Sequence, residues 1–209
     1  GKASVGQVAA RAARTFFSQR GIAVSMIVLL TYRAGDALMF SMNAKFLAEL
    51  GLDTATRGIV NGTFGTVASI AGSLAGGAVI ARYSFARAFV PITACQAFAI
   101  LLYVVLAATK PGLPMIAVVV LVEQFVAGVG TAAFIVFLMR LCKGEQKATQ
   151  FAFASSLMSL GVMGAGAGSG FLYASVGSTT FFFVAFLAAL PGLVASMFVR
   201  VEEPTPTNA

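Results

Sequence analysis

Arg33 and Asp36 stand three residues apart inside an apolar run from Ile22 to Leu50, and Glu123 stands in a second apolar run further on. Their types suit ion or solute chemistry, because a charge near the centre of a bilayer costs from roughly 3 to more than 10 kcal/mol and is kept for such handling. Tyr32, Asp36 and Asn43 fall at i, i+4 and i+11, so they share one helix face, with Arg33 on the neighbouring edge. Gln124 follows Glu123 and lines up instead with Gly128 and Thr131. With about 1.5 Å of rise per residue, Asp36 and Glu123 are expected within one or two turns of the same depth, provided their helices run in opposite directions.

Arg33 and Asp36 are close enough in sequence to neutralise each other, either as an internal ion pair that fixes helix packing or as ligand or gating residues. Glu123 has no cation within one turn, so it must be protonated, face water or meet Arg33 from another helix. A buried carboxyl that exchanges a proton is what proton coupling requires. The proton-coupling candidates are therefore Glu123 first and Asp36 second. Substrate contact or gating falls to Arg33, Asp36, Tyr32, Asn43, Gln124 and Gln150, with the serines Ser155, Ser156 and Ser159 as candidate lining residues on the fifth apolar segment.

These residues are carried by a chain of 209 residues that is 59% hydrophobic and 10% charged, far from the roughly 25% charged of soluble domains. The composition is that of an all-α integral membrane protein. The net charge of +7 does not make a nucleic-acid surface, because the cations sit at the edges of apolar runs rather than among stacking aromatics. Six segments are long enough to span the membrane, near 22–48, 55–81, 88–108, 114–140, 148–173 and 179–200. They lack the alternation of barrel strands, so they are expected as helices. Short breaks separate them, at Gly51-Leu52-Asp53, Arg82 to Arg87, Lys110-Pro111-Gly112, Lys143 to Lys147 and Val176-Gly177-Ser178.

Residues 1–20 read as a basic amphipathic linker, 21–200 as the six-helix bundle and 201–209 as a polar tail. Lys2, Arg11, Arg14, Arg20, Arg82, Arg87, Arg140, Lys143, Lys147 and Arg200 fall on one side, against Lys45, Arg57 and Lys110 on the other, which predicts both termini in the cytoplasm. Small residues recur every fourth position at Gly72 and Gly76, at Gly128 and Ala132, and at Gly164 and Gly168 with Gly166 and Gly170, where helices are expected to approach closely. Cys95 and Cys142 read as small core residues, and Asn61-Gly62-Thr63 as an accidental glycosylation sequence. No secretory signal is read at Gly1, and the chain is expected to be part of something longer.

Catalysis is not expected. The Gly168-Ser169-Gly170 stretch approaches the nucleophile pattern of rhomboid-type proteases, but the sequence has no His to activate it. It carries no phosphate loop or paired-cysteine metal site either, and no cofactor is expected.

With six spans led by a basic segment, the chain resembles one half of a twelve-helix major facilitator transporter. Three stretches resemble the anhydromuropeptide permease (AmpG-type) branch and its wider peptide, acetyl-coenzyme A and drug transporter family. They are Tyr32-Arg33-Ala34-Gly35-Asp36-Ala37, the run Glu123 to Cys142 containing Ala127 to Phe134, and Ala148-Thr149-Gln150-Phe151-Ala152. The resemblance implies the carboxy-terminal six helices of such a transporter, in the bacterial inner membrane. It also implies proton-driven import of muropeptides for peptidoglycan recycling, with a link to β-lactamase induction. Sister branches imply siderophore or acyl-coenzyme A solutes, and a non-transporting six-helix scaffold is the competing class. The partners implied are the lipid bilayer, an amino-terminal six-helix half, a small-molecule substrate and protons, and no nucleic acid. The family's membrane-embedded basic residue, Asp and Glu match Arg33, Asp36 and Glu123. The pattern's Arg and Pro of the fifth span are replaced by Val162 and Ala167, which removes an arginine suited to a carboxylated ligand.

Overall fold

The structure, a computed structural model, describes residues 5–19 and 21–199. Lys2, Arg20, Arg200 and the 201–209 tail lie outside the described residues. Every element among the described residues is helical. Helix α1 (Val5–Phe17) leads in, and the first span follows as α2 (Ile22–Thr31) and α3 (Ala34–Glu49). The second span is α4 (Thr54–Arg57), a π-helical stretch (Gly58–Phe64) and α5 (Gly65–Tyr83); the third is α6 (Phe85–Thr109) and the fourth α7 (Leu113–Leu141). The chain closes with α8 (Lys147–Ala167) and α9 (Ser169–Phe198).

The breaks fall where the breakers stand. Asp53 caps α4 by accepting from the Ala55 and Thr56 amides at 3.2 and 3.4 Å, which satisfies two orphan donors of the helix start. Ser84 at φ 66° and Lys110 at φ 44° turn the chain between α5, α6 and α7. Gly177, at φ 76° and ψ 167°, interrupts the helical tract of α9. A straight helix would place residues eight apart about 12 Å from each other along the axis, yet the rings of Tyr173 and Phe181 are 5.1 Å apart. The chain therefore doubles back at Gly177, so that α8 with 169–176 makes the fifth pass and 178–198 the sixth. Five helical tracts are long and apolar enough for a membrane span by length and composition, Ile22–Glu49, Thr54–Tyr83, Phe85–Thr109, Leu113–Leu141 and Ser169–Phe198, the last counted across the reversal at Gly177. Helix α8, with its serines and Gln150, falls short in apolarity and completes its pass through 169–176.

Packing is set by the small residues. A Cβ on Gly76 would meet the Val129 carbonyl oxygen at 2.8 Å, and one on Gly72 or Gly128 would collide with backbone of Phe125 or Ser69, so α5 and α7 touch backbone to backbone. Gly35 packs the first span onto α9 in the same way, since a Cβ there would meet the Ala185 carbonyl oxygen at 2.7 Å. On α8, Gly161 packs close to the Leu30 backbone, but a Cβ on Gly164, Gly166 or the following Gly168 meets nothing within 4 Å. That stripe is open rather than packed within this chain. Cys95 is exposed, contrary to the core position expected for it, whereas Cys142 is buried.

Two apolar clusters fill the bundle. Phe16, Tyr32, Phe89, Phe134 and Phe137 belong to one, at the end that also carries Arg82, Arg87, Arg140 and Lys147. Phe46, Tyr103, Phe181 and Phe182 belong to the other, at the opposite end. Helix α1 docks at the basic end through Phe16, which is fully buried and meets Phe153 of α8 ring to edge at 5.8 Å.

Candidate functional site

Between the two apolar clusters lies a band of buried polar side chains. Its residues come from the first, third and fourth spans at a spacing of seven, Asp36 and Asn43, Gln96 and Tyr103, Gly130 and Glu123. Seven residues are almost two helical turns, about 10.5 Å of rise, so each pair faces the same way at two depths. The first and third spans run in one direction and the fourth in the other, which is why its order is reversed. Two layers result, one of Asp36, Gln96 and Gly130 and one of Asn43, Tyr103 and Glu123.

In the first layer the Gln96 amide donates to the Asp36 carboxylate. The amide fits there because position 130 is glycine: a Cβ on Gly130 would overlap the Gln96 Oε1 atom. The Gly130 carbonyl in turn accepts from the Tyr32 hydroxyl at 3.0 Å, and the Tyr32 ring is clamped 4.7 Å from that of Phe134 and 5.9 Å from that of Phe89. Asp36 is 3% exposed, Gln96 6%.

Arg33 and Asp36 form no direct ion pair among the described residues. Arg33 is half-buried and donates from Nη1 to the Thr131 hydroxyl at 3.4 Å, while Asp36 turns inward to Gln96. The backbone departs from regular helix at Arg33, which sits at φ −99°, ψ 6° as the cap of α3. An i, i+3 pairing assumes regular helix at both residues, and here Arg33 is the distorted cap of the helix whose first turn holds Asp36. The field of Arg33 still reaches Asp36.

The second layer holds Glu123, 3% exposed, with no hydrogen-bond partner for Oε2. Tyr103, fully buried, and Asn43, 1% exposed, stand beside it, and the Tyr103 hydroxyl and Asn43 Oδ1 are also without partners in normal geometry. Glu123 and Asp36 lie within each other's electrostatic reach. The Asn43 Nδ2 donates to Asn61 Oδ1 at 3.2 Å, and Gln124 Nε2 donates to the same oxygen at 3.2 Å. Two carboxamides, from the first and fourth spans, thus converge on the oxygen of a third on the second span. Asn61 and Gln124 are half-buried, so this end of the network opens to the surface. The carrier of Asn61 is the π-helical stretch Gly58–Phe64, a widened turn of the kind that recurs at functional sites.

The sequence singled out Tyr32, Arg33, Asp36, Asn43, Glu123 and Gln124, and the structure brings these together. Gln150 stands apart. It lies at the start of α8, where its Oε1 accepts from the Lys143 backbone amide at 2.9 Å and so pins the 142–146 turn. Gln96, Tyr103 and Asn61 were missed as site residues. A lone neutral polar residue in an apolar run carries little signal, though the seven-residue spacing of Gln96 and Tyr103 repeats that of Asp36 and Asn43. No group of three metal-ligating side chains occurs among the described residues.

Residues 24–209 match the model of the Major Facilitator Superfamily. The chain is 33% identical over 188 residues, 90% of its length and 38% of the relative's, to the anhydromuropeptide permease of Escherichia coli K12. It is 24% identical over 189 residues, 90% of its length and 46% of the relative's, to a protein of Rickettsia conorii named as a transporter, AmpG 4. The chain spans less than half the length of these curated relatives. An all-helical bundle of six passes, with buried carboxyls between two apolar clusters and a family match over nearly its whole length, leads to one conclusion: the chain belongs to the Major Facilitator Superfamily.

Proposed function

We propose that the chain is the carboxy-terminal six-helix half of a proton-coupled importer in the bacterial inner membrane, with muropeptides for recycling as its solute and both termini cytoplasmic. The proton assignment rests on Glu123, a carboxyl withdrawn from water whose second oxygen has no partner and whose surroundings hold no cation within bonding distance among the described residues. Such a group exchanges a proton with its surroundings rather than a counter-ion. Asp36 is the second proton group, held by Gln96. Arg33, Tyr32, Asn43 and Gln124 serve ligand contact or gating, and Gln150 serves gating at the 142–146 turn. The muropeptide reading is carried by the printed name of the Escherichia coli relative. The amino-terminal half is proposed to cover the open glycine stripe of α8 and the exposed Phe64, Val67, Ile70 and Leu74 of the second span.

The test is uptake of radiolabelled anhydromuropeptide by membrane vesicles containing the full-length protein under an imposed pH gradient. Glu123→Gln should abolish gradient-driven accumulation while leaving the protein inserted. Accumulation at the unaltered rate in Glu123→Gln would remove the proton assignment.

A further inference from the structure

We infer that Asn61 is a solute-contact residue, and that its free amide nitrogen and the free amide oxygen of Gln124 hold uncharged amide groups of the solute. The inference rests on the reading of the chain as half of a muropeptide transporter. It adds to that reading one residue and the chemical class of the group held there.

Two spans build the pair. Asn61 rides on the π-helical stretch of the second span and Gln124 on the fourth. The Gln124 side chain fits against the second span because position 65 is glycine, where a Cβ would press on Gln124 Nε2 at 3.2 Å and on its Cγ at 3.3 Å. Asn61 Oδ1 accepts from Gln124 Nε2 and from Asn43 Nδ2, each at 3.2 Å. Both lone pairs of that oxygen are thereby used. What is left over is Asn61 Nδ2, a donor with two hydrogens, and Gln124 Oε1, an acceptor. Neither atom holds a hydrogen bond among the described residues. Both belong to half-buried side chains and reach the surface, unlike Glu123 Oε2 and Asn43 Oδ1, which are sealed off. Turning all three amides over exchanges the roles, and one donor and one acceptor still remain at the open side.

Depth decides what meets this pair. Gln124 stands eleven residues into the fourth span, about 16 Å along it and so near the middle of a hydrocarbon core about 30 Å thick. An open donor and acceptor are costly against lipid at that depth, so this patch fronts a water-filled path or a polar group. The charges nearest in sequence are engaged elsewhere. Arg57 is held by the Ala44 carbonyl at 2.9 Å and the Thr54 hydroxyl at 3.0 Å, and Glu123 is buried in the second layer. What the pair offers is therefore neutral: an N–H suited to an amide carbonyl and a carbonyl suited to an amide N–H. A muropeptide carries such groups twice, in the acetamides of its amino sugars and in its peptide bonds.

The test is uptake of radiolabelled anhydromuropeptide by vesicles containing the full-length protein, unaltered, as Asn61→Ala and as Asn61→Asp. The second variant keeps an oxygen for Asn43 and Gln124 to hold and removes the outward nitrogen, so it guards against loss of fold in the first. In both, KM should rise about tenfold, the effect of a lost hydrogen bond, at unchanged maximal rate. Three competitors are compared: the intact solute, the same solute with hydroxyls in place of the sugar acetamides, and its peptide-free form. The analogue that lacks the amides held by the pair should compete about tenfold more weakly against the unaltered protein, and no more weakly than the intact solute against Asn61→Ala. Such a loss in the hydroxyl analogue assigns the pair to the acetamides, and in the peptide-free form to the peptide. If Asn61→Ala weakens all three competitors equally, or if neither analogue loses affinity for the unaltered protein, the inference is overturned while the muropeptide reading stands. Absence of uptake by the unaltered protein overturns the muropeptide reading and the inference with it.

Discussion

Gly130→Ala, made alone and in a Gln96→Ala background, tests whether the first polar layer is one unit. A Cβ at position 130 overlaps Gln96 Oε1, the end of a movable side chain, so the overlap itself is relieved at the low end of overpacking costs, about 1 kcal/mol. The relief displaces the amide that donates to Asp36, and a hydrogen bond to a carboxylate is worth about 2 kcal/mol. Replacing glycine inside a helix returns about 1 kcal/mol. The single substitution should therefore destabilise by about 2 kcal/mol by these terms. With Gln96→Ala already in place there is neither overlap nor bond to lose, so only the helix gain of about 1 kcal/mol remains. The coupling between the two sites comes to about 3 kcal/mol, at the top of the range for residues in contact. Denaturant unfolding of the four proteins of the cycle, full-length and in detergent, measures it. Additivity within about 0.5 kcal/mol would refute the claim that Gly130 exists to seat the Gln96 amide.

Gly177 occupies a region of backbone space that is closed to other residues, at φ 76° and ψ 167°, so Gly177→Ala should cost about 1–3 kcal/mol in detergent unfolding and weaken the reversal between the fifth and sixth passes. Asp53, outside the membrane, is held below the usual carboxylate range first by the Thr56 side chain and then by the Thr56 and Ala55 amides. A lowered value in the folded state means that its contribution is present above the unfolded aspartate value of about 3.9 and is lost as pH falls through the folded one. Hydrogen exchange at Ala55 and Thr56, corrected for intrinsic rates, should accelerate in that acid window, and Asp53→Asn should erase the change. An unchanged acid window in Asp53→Asn would show that the cap is not its source.

The helices and their breaks were legible because length, apolarity and breakers act locally. Lys110-Pro111-Gly112 and Gly177 ended helices where their backbone preferences require it. The buried pair of carboxyls was legible too, since a charge in an apolar run stands out whatever surrounds it. What joins them was not. Gln96 meets Asp36 across sixty positions of chain, and no local periodicity reports which helices become neighbours. Of the two alternatives for Arg33 and Asp36, the direct ion pair does not form for the complementary reason, since a spacing rule for regular helix does not hold at a distorted helix cap. The open glycines of α8 follow the same four-residue rule as Gly72 and Gly76, but the rule says only that a close approach is possible and leaves unsaid which surface makes it.

The seven-residue repeat shared by three spans bears on how the bundle assembles after insertion. Apolar helices slide along one another at little cost, because a leucine lost from one contact finds another a turn away. Asp36, Gln96, Tyr103 and Glu123 do not have that freedom. A slip of a single turn, 5.4 Å, would set each of them against hydrocarbon, and only a slip of two turns would restore any polar facing. The band therefore acts as a detent: it admits one axial alignment of the first, third and fourth spans and rejects the nearby ones, so that a greasy and otherwise permissive interior proofreads its own assembly.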